Sequence, residues 1–184
     1  MERLETGLTN ISSELETVAE GSVVCFLGSP AYMVDELMLH ILKTDRHTSY
    51  LSLNKPDLTI ERIAQSIVGD IDHLRVYEAD GGVKDETATI MSRIDDKNNY
   101  IIDSLSKAAE GMNEKEYRIF LHELYTQTIS NNGVTYLYIP KTSVEDLNQK
   151  ETEAMDLADY VVHVVDERGN DVFPYACEIL KHRF

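Results

Sequence analysis

Gly28 to Val34 (GSPAYMV) follows the apolar stretch Gly21 to Leu27 (GSVVCFL) and leads into a helical apolar pattern that runs to about Leu42. A strand, a glycine turn and a helix in that order are the setting of the phosphate-binding loop G-x-x-x-x-G-K-[ST]. Aligned on Gly28, the second glycine position holds Met33, the lysine position Val34 and the Ser/Thr position Asp35. A working loop presents bare backbone N–H groups, an ammonium for the phosphates and a hydroxyl for Mg²⁺. Here a long side chain crowds the cradle, the cation is missing, and a carboxylate faces the place of an anion. The spacing predicts the scaffold of a nucleotide site without its chemistry.

A second carboxylate, Asp103, closes the apolar run Tyr100 to Asp103 (YIID). At the carboxyl end of a strand it either caps Ser104 to Lys107 and bonds nearby backbone, or shares a cation with Asp35 at the mouth of one crevice. Open α/β sheets take ligands at that edge.

The elements that would position these groups follow from periodicity. Strands are expected over Gly21–Leu27, His47–Leu53, Leu74–Tyr77, Tyr100–Asp103, Val134–Ile139, Tyr160–Val165 and Pro174–Leu180. Between them, helices are expected at Leu58–Val68 with Asp57 or Thr59 as N-cap, near Lys84–Arg93, after Asn113, and over Glu145–Leu157. Asn113 and Glu116 have capping-box spacing. Tyr117, Phe120, Leu121, Leu124, Tyr125, Thr128 and Ile129 form one face of that helix, and Gly133 marks its exit. The first residues carry Leu4, Leu8, Ile11, Leu15 and Val18 in a heptad-like stripe; a short entry segment and a helix near Ser13–Ala19 are expected, packed on the core or on a partner. Alternating strands and helices, with several strands apolar throughout, argue for a mainly parallel sheet covered on both faces. The turn at Glu167–Asn170 predicts an antiparallel hairpin at one edge. The 184 residues read as a single domain, with 1–20 as its entry segment.

Composition narrows the function. With 17 basic against 33 acidic residues the net charge is −16, and the lysines and arginines are scattered singly. Sequence-independent nucleic-acid binding rests on cations that neutralise phosphates, so no direct nucleic-acid contact is expected. The acidity keeps the protein soluble, or suits it to a salt-rich cytoplasm. No apolar run is long enough to span a membrane and the first residues are not a signal peptide, so a cytoplasmic location is expected. Cys25 and Cys177 lie in apolar segments and read as free buried thiols. No Cys/His spacing suggests a metal, and no cofactor is expected. Tyr117, Tyr125, Tyr136 and Tyr138 read as packing residues, with a partner surface as the alternative.

The order of these segments resembles the RecA-like ATPases, in particular the archaeal KaiC-like and RadA-paralogue branch. The resemblance is carried by Thr6–Leu8, by Glu20–Val24 leading into the loop, and by Leu39–Leu42 at the helix end. Ser49–Leu53 resembles the second strand, Ile101–Ser106 the Walker B strand, and Gly133–Ile139 the sensor strand. Ala158–Val162 and Ile179–Arg183 resemble the closing strands, so the likeness covers most of the chain. It implies a RecA-like three-layer sandwich in which Asp103 stands where Mg²⁺ is positioned. It also places Asn54-Lys55 where the family carries its activating glutamates, and Asn54 cannot act as a base toward water. The resemblance therefore implies a pseudo-ATPase that regulates or signals through a protein partner, such as a RecA- or KaiC-like relative, in homo- or hetero-oligomers. Two alternatives stand beside it. One is an unorthodox nucleotide sensor or ATPase whose cation comes from Lys55 or Lys141. The other is a recombination accessory similar to the RadA paralogues. The acidity and the resemblance together suggest an archaeal, salt-adapted host.

Overall fold

The computed structural model describes residues 3–5, 17–29, 31–44, 46–79, 83–94, 97–166 and 175–182. Two short strands, β1 (Arg3–Glu5) and β2 (Thr17–Ala19), pair antiparallel, with Leu4 opposite Val18. The helix expected near Ser13–Ala19 is therefore replaced, at its described end, by a strand. Thr17 and Val18 are β-branched, and Val18 and Ala19 are buried against the core, so packing overrides the helical stripe. Residues 6–16 lie outside the described residues.

The main sheet has seven strands in the order β5-β4-β6-β7-β3-β8-β9. They are β3 (Ser22–Gly28), β4 (Thr48–Ser52), β5 (Leu74–Glu78), β6 (Asn99–Asp103), β7 (Val134–Ile139), β8 (Tyr160–Asp166) and β9 (Tyr175–His182). All neighbours pair in parallel except β8 and β9, an antiparallel edge pair. The turn expected at Glu167–Asn170 lies outside the described residues. Residue parity sorts the side chains into two apolar layers. Val24, Phe26, Tyr50, Ile101 and Tyr136 pack beneath α1 (Ala31–Leu39) and α2 (Asp57–Val68). Val23, Cys25, Leu27, Ile102 and Leu137 pack beneath α3 (Val83–Met91), α4 (Leu105–Ala108), α5 (Glu114–Ser130) and α6 (Gln149–Leu157). The protein is thus a three-layer α/β sandwich, and its central strands β3 and β7 are buried along their whole length because both faces are covered. No helix among the described residues is long and apolar enough to cross a membrane.

Local chemistry corrects several boundaries. The first helix ends at Leu39 and tightens into a 3-10 turn over His40–Lys43. The helix after β4 starts at Asp57 with Pro56 as N-cap and no side-chain cap; the Asp57 N–H instead donates to Glu78 Oε1 at 2.7 Å. The expected single helix over Glu145–Leu157 is a 3-10 turn at Val144–Asp146 followed by α6, which Asn148 and Glu151 start afresh with a capping box. Ile129, assigned to the buried face of α5, is 46% exposed, whereas Tyr117, Phe120, Leu121, Leu124 and Thr128 are buried. The left-handed residue after α5 is Asn132, at φ 49°. Gly133 is needed for closeness, since a Cβ there would stand 2.6 Å from the Asn98 carbonyl oxygen.

Both cysteines are free, Cys25 buried and Cys177 half-buried, and burial pushes each thiol up to about 12. Tyr117, Tyr136 and Tyr138 are core residues. Tyr125 is half-buried, and its hydroxyl donates to Asp159 Oδ1 at 3.3 Å. Asp159 Oδ2 in turn accepts the Val23 N–H at 3.0 Å, clamping the start of β8 to that of β3.

The capping box of α5 carries a pH dependence. The Asn113 N–H, donating to Glu116 Oε2 at 2.8 Å, holds that carboxyl below its usual 4.5, and Lys84 adds to the effect. A depressed folded-state pKa means stability that is full above the unfolded value and lost as pH falls through the folded one. Denaturant midpoints measured below pH ~4.5 are expected to fall less steeply for Glu116→Gln than for the unsubstituted chain.

Candidate functional site

β4 and β6 are parallel neighbours, with Tyr50 beside Ile101 and Ser52 beside Asp103. Tyr50, Ser52 and Asp103 therefore project from the same face of the sheet. The pairing continues past the strand, since the Leu53 N–H donates to the Asp103 carbonyl at 2.7 Å. This holds Asn54 and Lys55 alongside the end of β6. The Tyr50 hydroxyl donates to Asp103 Oδ2 at 3.2 Å, and Asn54 Nδ2 donates to Oδ1 at 3.2 Å. Lys55 Nζ stands 3.6 Å from Oδ2, on a side chain that is 25% exposed while that of Asp103 is fully buried. The Ser52 hydroxyl, donating to the Lys55 carbonyl at 2.6 Å, fixes the turn that delivers the lysine.

The carboxylate is buried because it is paired. An isolated anion would cost several kcal/mol to desolvate, whereas a phenol, an amide and an ammonium together offset that. α4 starts with Ser104 as its N-cap and without a side-chain cap, so Asp103 is held by β4 and its extension rather than capping Ser104–Lys107. The Asp103–Ser104 peptide is cis.

The crevice has a topological cause. After β4 the chain turns to α2 on one face, and after β5 it turns to α3 on the other. Adjacent strands whose connections leave in opposite directions open a cleft at their carboxyl ends. Here a cleft of about 320 Å³ at the ends of β4 and β5 is lined by Ser52–Pro56, Glu78 and Ala79, and Lys55 links it to Asp103.

β3 ends two strands away, beyond β7. Its last residue, Gly28, is packed on all sides: a Cβ there would meet Val164 Cβ at 2.9 Å and Val34 Cγ2 at 3.0 Å. The Gly28 carbonyl accepts the Tyr138 hydroxyl at 3.2 Å. The chain is already helical at Ala31, within the stretch that a phosphate loop would need as open backbone. Val34, at the lysine position, has 0% exposure and belongs to the apolar layer with Phe26, Leu37 and Tyr136. The side chains of Met33 and Asp35, and with them the cation site considered at Asp35 and Asp103, lie outside the described residues.

The structure thus brings Asn54 and Asp103 together and turns Val34 into the core. Of the two lysines considered as substitute cations, Lys55 reaches Asp103, while Lys141 lies 4.0 Å from Glu151. Tyr50 was missed. Its parity with Ser52 was readable from the sequence, but its contact with Asp103 requires the register between β4 and β6.

A family model matches residues 3–184. The chain belongs to the DUF7125 family, a family of unknown function. No curated protein matches it. In this DUF7125 member a buried carboxylate, Asp103, stands at the carboxyl end of β6 with the ammonium of Lys55 beside it.

Proposed function

We propose that this protein is a cytoplasmic, non-catalytic interaction module built on a RecA- or KaiC-like nucleotide scaffold, regulating or signalling through a protein partner. The observation that carries this reading is the engagement of both oxygens of Asp103 by Tyr50, Asn54 and Lys55 at full burial. A carboxylate that positions Mg²⁺ must turn an oxygen lone pair to the ion; both oxygens here accept from protein groups. Val34 supports the same reading, because a core valine offers nothing to a γ-phosphate. The charge of −16 favours a protein partner over nucleic acid.

The test is a thermal-shift titration with Mg·ATP. No saturable rise in Tm is expected, because a ligand raises apparent stability only when it binds the folded state. Saturation at sub-millimolar ATP would sink the proposal. One observation supports a second reading, a nucleotide sensor: Lys55 lies beside Asp103 and lines the open cleft. In that case the shift would appear in the unsubstituted chain and disappear in Lys55→Ala.

A further inference from the structure

β5, β4 and β6 are consecutive neighbours and run parallel, so their amino ends lie side by side. The residue just before each strand falls in one row: His73, His47 and Asn98. Backbone bonds fix that row, with the Thr48 N–H donating to the His73 carbonyl and the Asn99 N–H to the His47 carbonyl, each at 2.9 Å. One step into the sheet comes Thr48, and the next step sets Ser49 beside Arg75. These six residues line a pocket of about 110 Å³ at the opposite end of the strands from Asp103.

The lining is unusual for this chain. Among the described residues it carries a guanidinium, two imidazoles, two hydroxyls and an amide, and no carboxylate, in a protein with 33 acidic and 17 basic residues. Asp70 and Asp72, in the approach to β5, are exposed, and Asp70 Oδ1 accepts the Asp72 N–H at 3.0 Å. Among the described residues, the side chains of Arg75, His47 and Ser49 make no hydrogen bond or ion pair. His73 donates from Nε2 to the Leu42 carbonyl at 2.8 Å, which leaves Nδ1 as its second polar atom. Arg46 lies at the side of the row, donating to Asn99 Oδ1 at 3.2 Å and adding positive charge. A guanidinium that makes no ion pair, as at Arg75, favours an anion beside it.

We propose that this pocket is an oxyanion site that takes a phosphoryl group, as inorganic phosphate or as the phosphate of a small monoester. Its volume equals roughly four water volumes, enough for a tetrahedral oxyanion and too little for a nucleotide. The planar guanidinium of Arg75 offers paired donors that match phosphate oxygens, and the Ser49 hydroxyl and the His47 imidazole complete the set. The site is separate from the cleft at Asp103 and does not rest on the function proposed above.

The test is a titration of the full chain with inorganic phosphate at fixed ionic strength, read by thermal shift and phosphorus NMR, with chloride as the comparison. Arg75→Ala and His47→Gln are measured beside it; both side chains are exposed, so the variants keep the fold, which circular dichroism checks. A saturable rise in Tm of about 3–6 °C is expected at a phosphate concentration about tenfold above Kd. Arg75→Ala should weaken Kd by about tenfold or more, and His47→Gln by less. No rise, or the same unsaturating rise in all three proteins, overturns the proposal. Phenyl phosphate separates the sources: binding as tight as phosphate assigns a monoester, and binding by phosphate alone assigns the free ion. A single-stranded oligonucleotide that binds more tightly than phosphate and loses its affinity in Arg75→Ala would overturn the small-ligand assignment. Carried through the Mg·ATP titration, Arg75→Ala removes any shift that belongs to this pocket, and Lys55→Ala any that belongs to the cleft at Asp103.

Discussion

Val34→Lys, the substitution that restores a loop lysine on paper, is expected to unfold the protein rather than revive a nucleotide site. Val34 has no exposed surface and packs among Phe26, Leu37, Met38 and Tyr136. Gly28 and Val164 close its other side, where even one added carbon on Gly28 would stand 3.0 Å from Val34 Cγ2. A lysine there either stays neutral, at the cost of a pKa depressed by several units, or displaces the packing to reach water. At about 1.4 kcal/mol per pKa unit, with the lost packing added, the penalty is about 5 kcal/mol. That is comparable to the whole stability of many domains. Urea denaturation checks it, with Val34→Ala as the comparison at about 2 kcal/mol. If Val34→Lys is as stable as the unsubstituted chain and gains an ATP-dependent shift, position 34 faces the loop and the proposed function is wrong.

Asp103→Ala carries the second large effect. It removes one acceptor from the Tyr50 hydroxyl, one from the Asn54 amide and the counter-ion of Lys55. Lys55, already 25% exposed, can turn to water, so no charge is left stranded, and the expected loss is about 2–4 kcal/mol rather than more. Asp103→Asn keeps the shape and one oxygen, and should cost about half as much. Lys55→Ala leaves the carboxylate buried with two neutral donors, and falls between the two. The ordering Ala, then Lys55→Ala, then Asn, measured as shifts in the denaturant midpoint, is what an internally satisfied structural cluster predicts. A carboxylate kept for a ligand would behave otherwise: Asp103→Asn would leave stability nearly unchanged.

The sheet was largely legible in the sequence because its strands are buried on both faces. Val134–Ile139 was located to the residue, since a β-branched and aromatic run bounded by Gly133 and Pro140 reads as a strand. α5 was legible for the same reason: Asn113 and Glu116 close a capping box that depends on four consecutive residues. Failures came where distant packing decides. The stripe ending at Val18 has helical spacing, but pairing with Arg3–Glu5 makes its end a strand. Asn148, which restarts the chain as α6, competes with a continuous charged helix that propensity alone prefers. At the candidate site, the departure of Val34 and Asn54 from a phosphate-loop pattern was legible in their types. That Lys55 and Tyr50 close on Asp103 depends on the β4–β6 register, which local spacing does not encode. The row of His73, His47 and Asn98 was invisible for the same reason: 25 residues or more separate each from the next along the chain, and only the strand order unites them.

The ammonium of Lys55 has one more consequence. A protein that borrows a divalent ion to settle a buried carboxylate has a stability that rises and falls with the ion's concentration, and a chelator can undo it. Here the counter-charge is tethered by its own backbone, one residue from Asn54, and is delivered whenever the chain folds. The counter-charge at this end of the sheet comes with the chain and not from a dissolved ion.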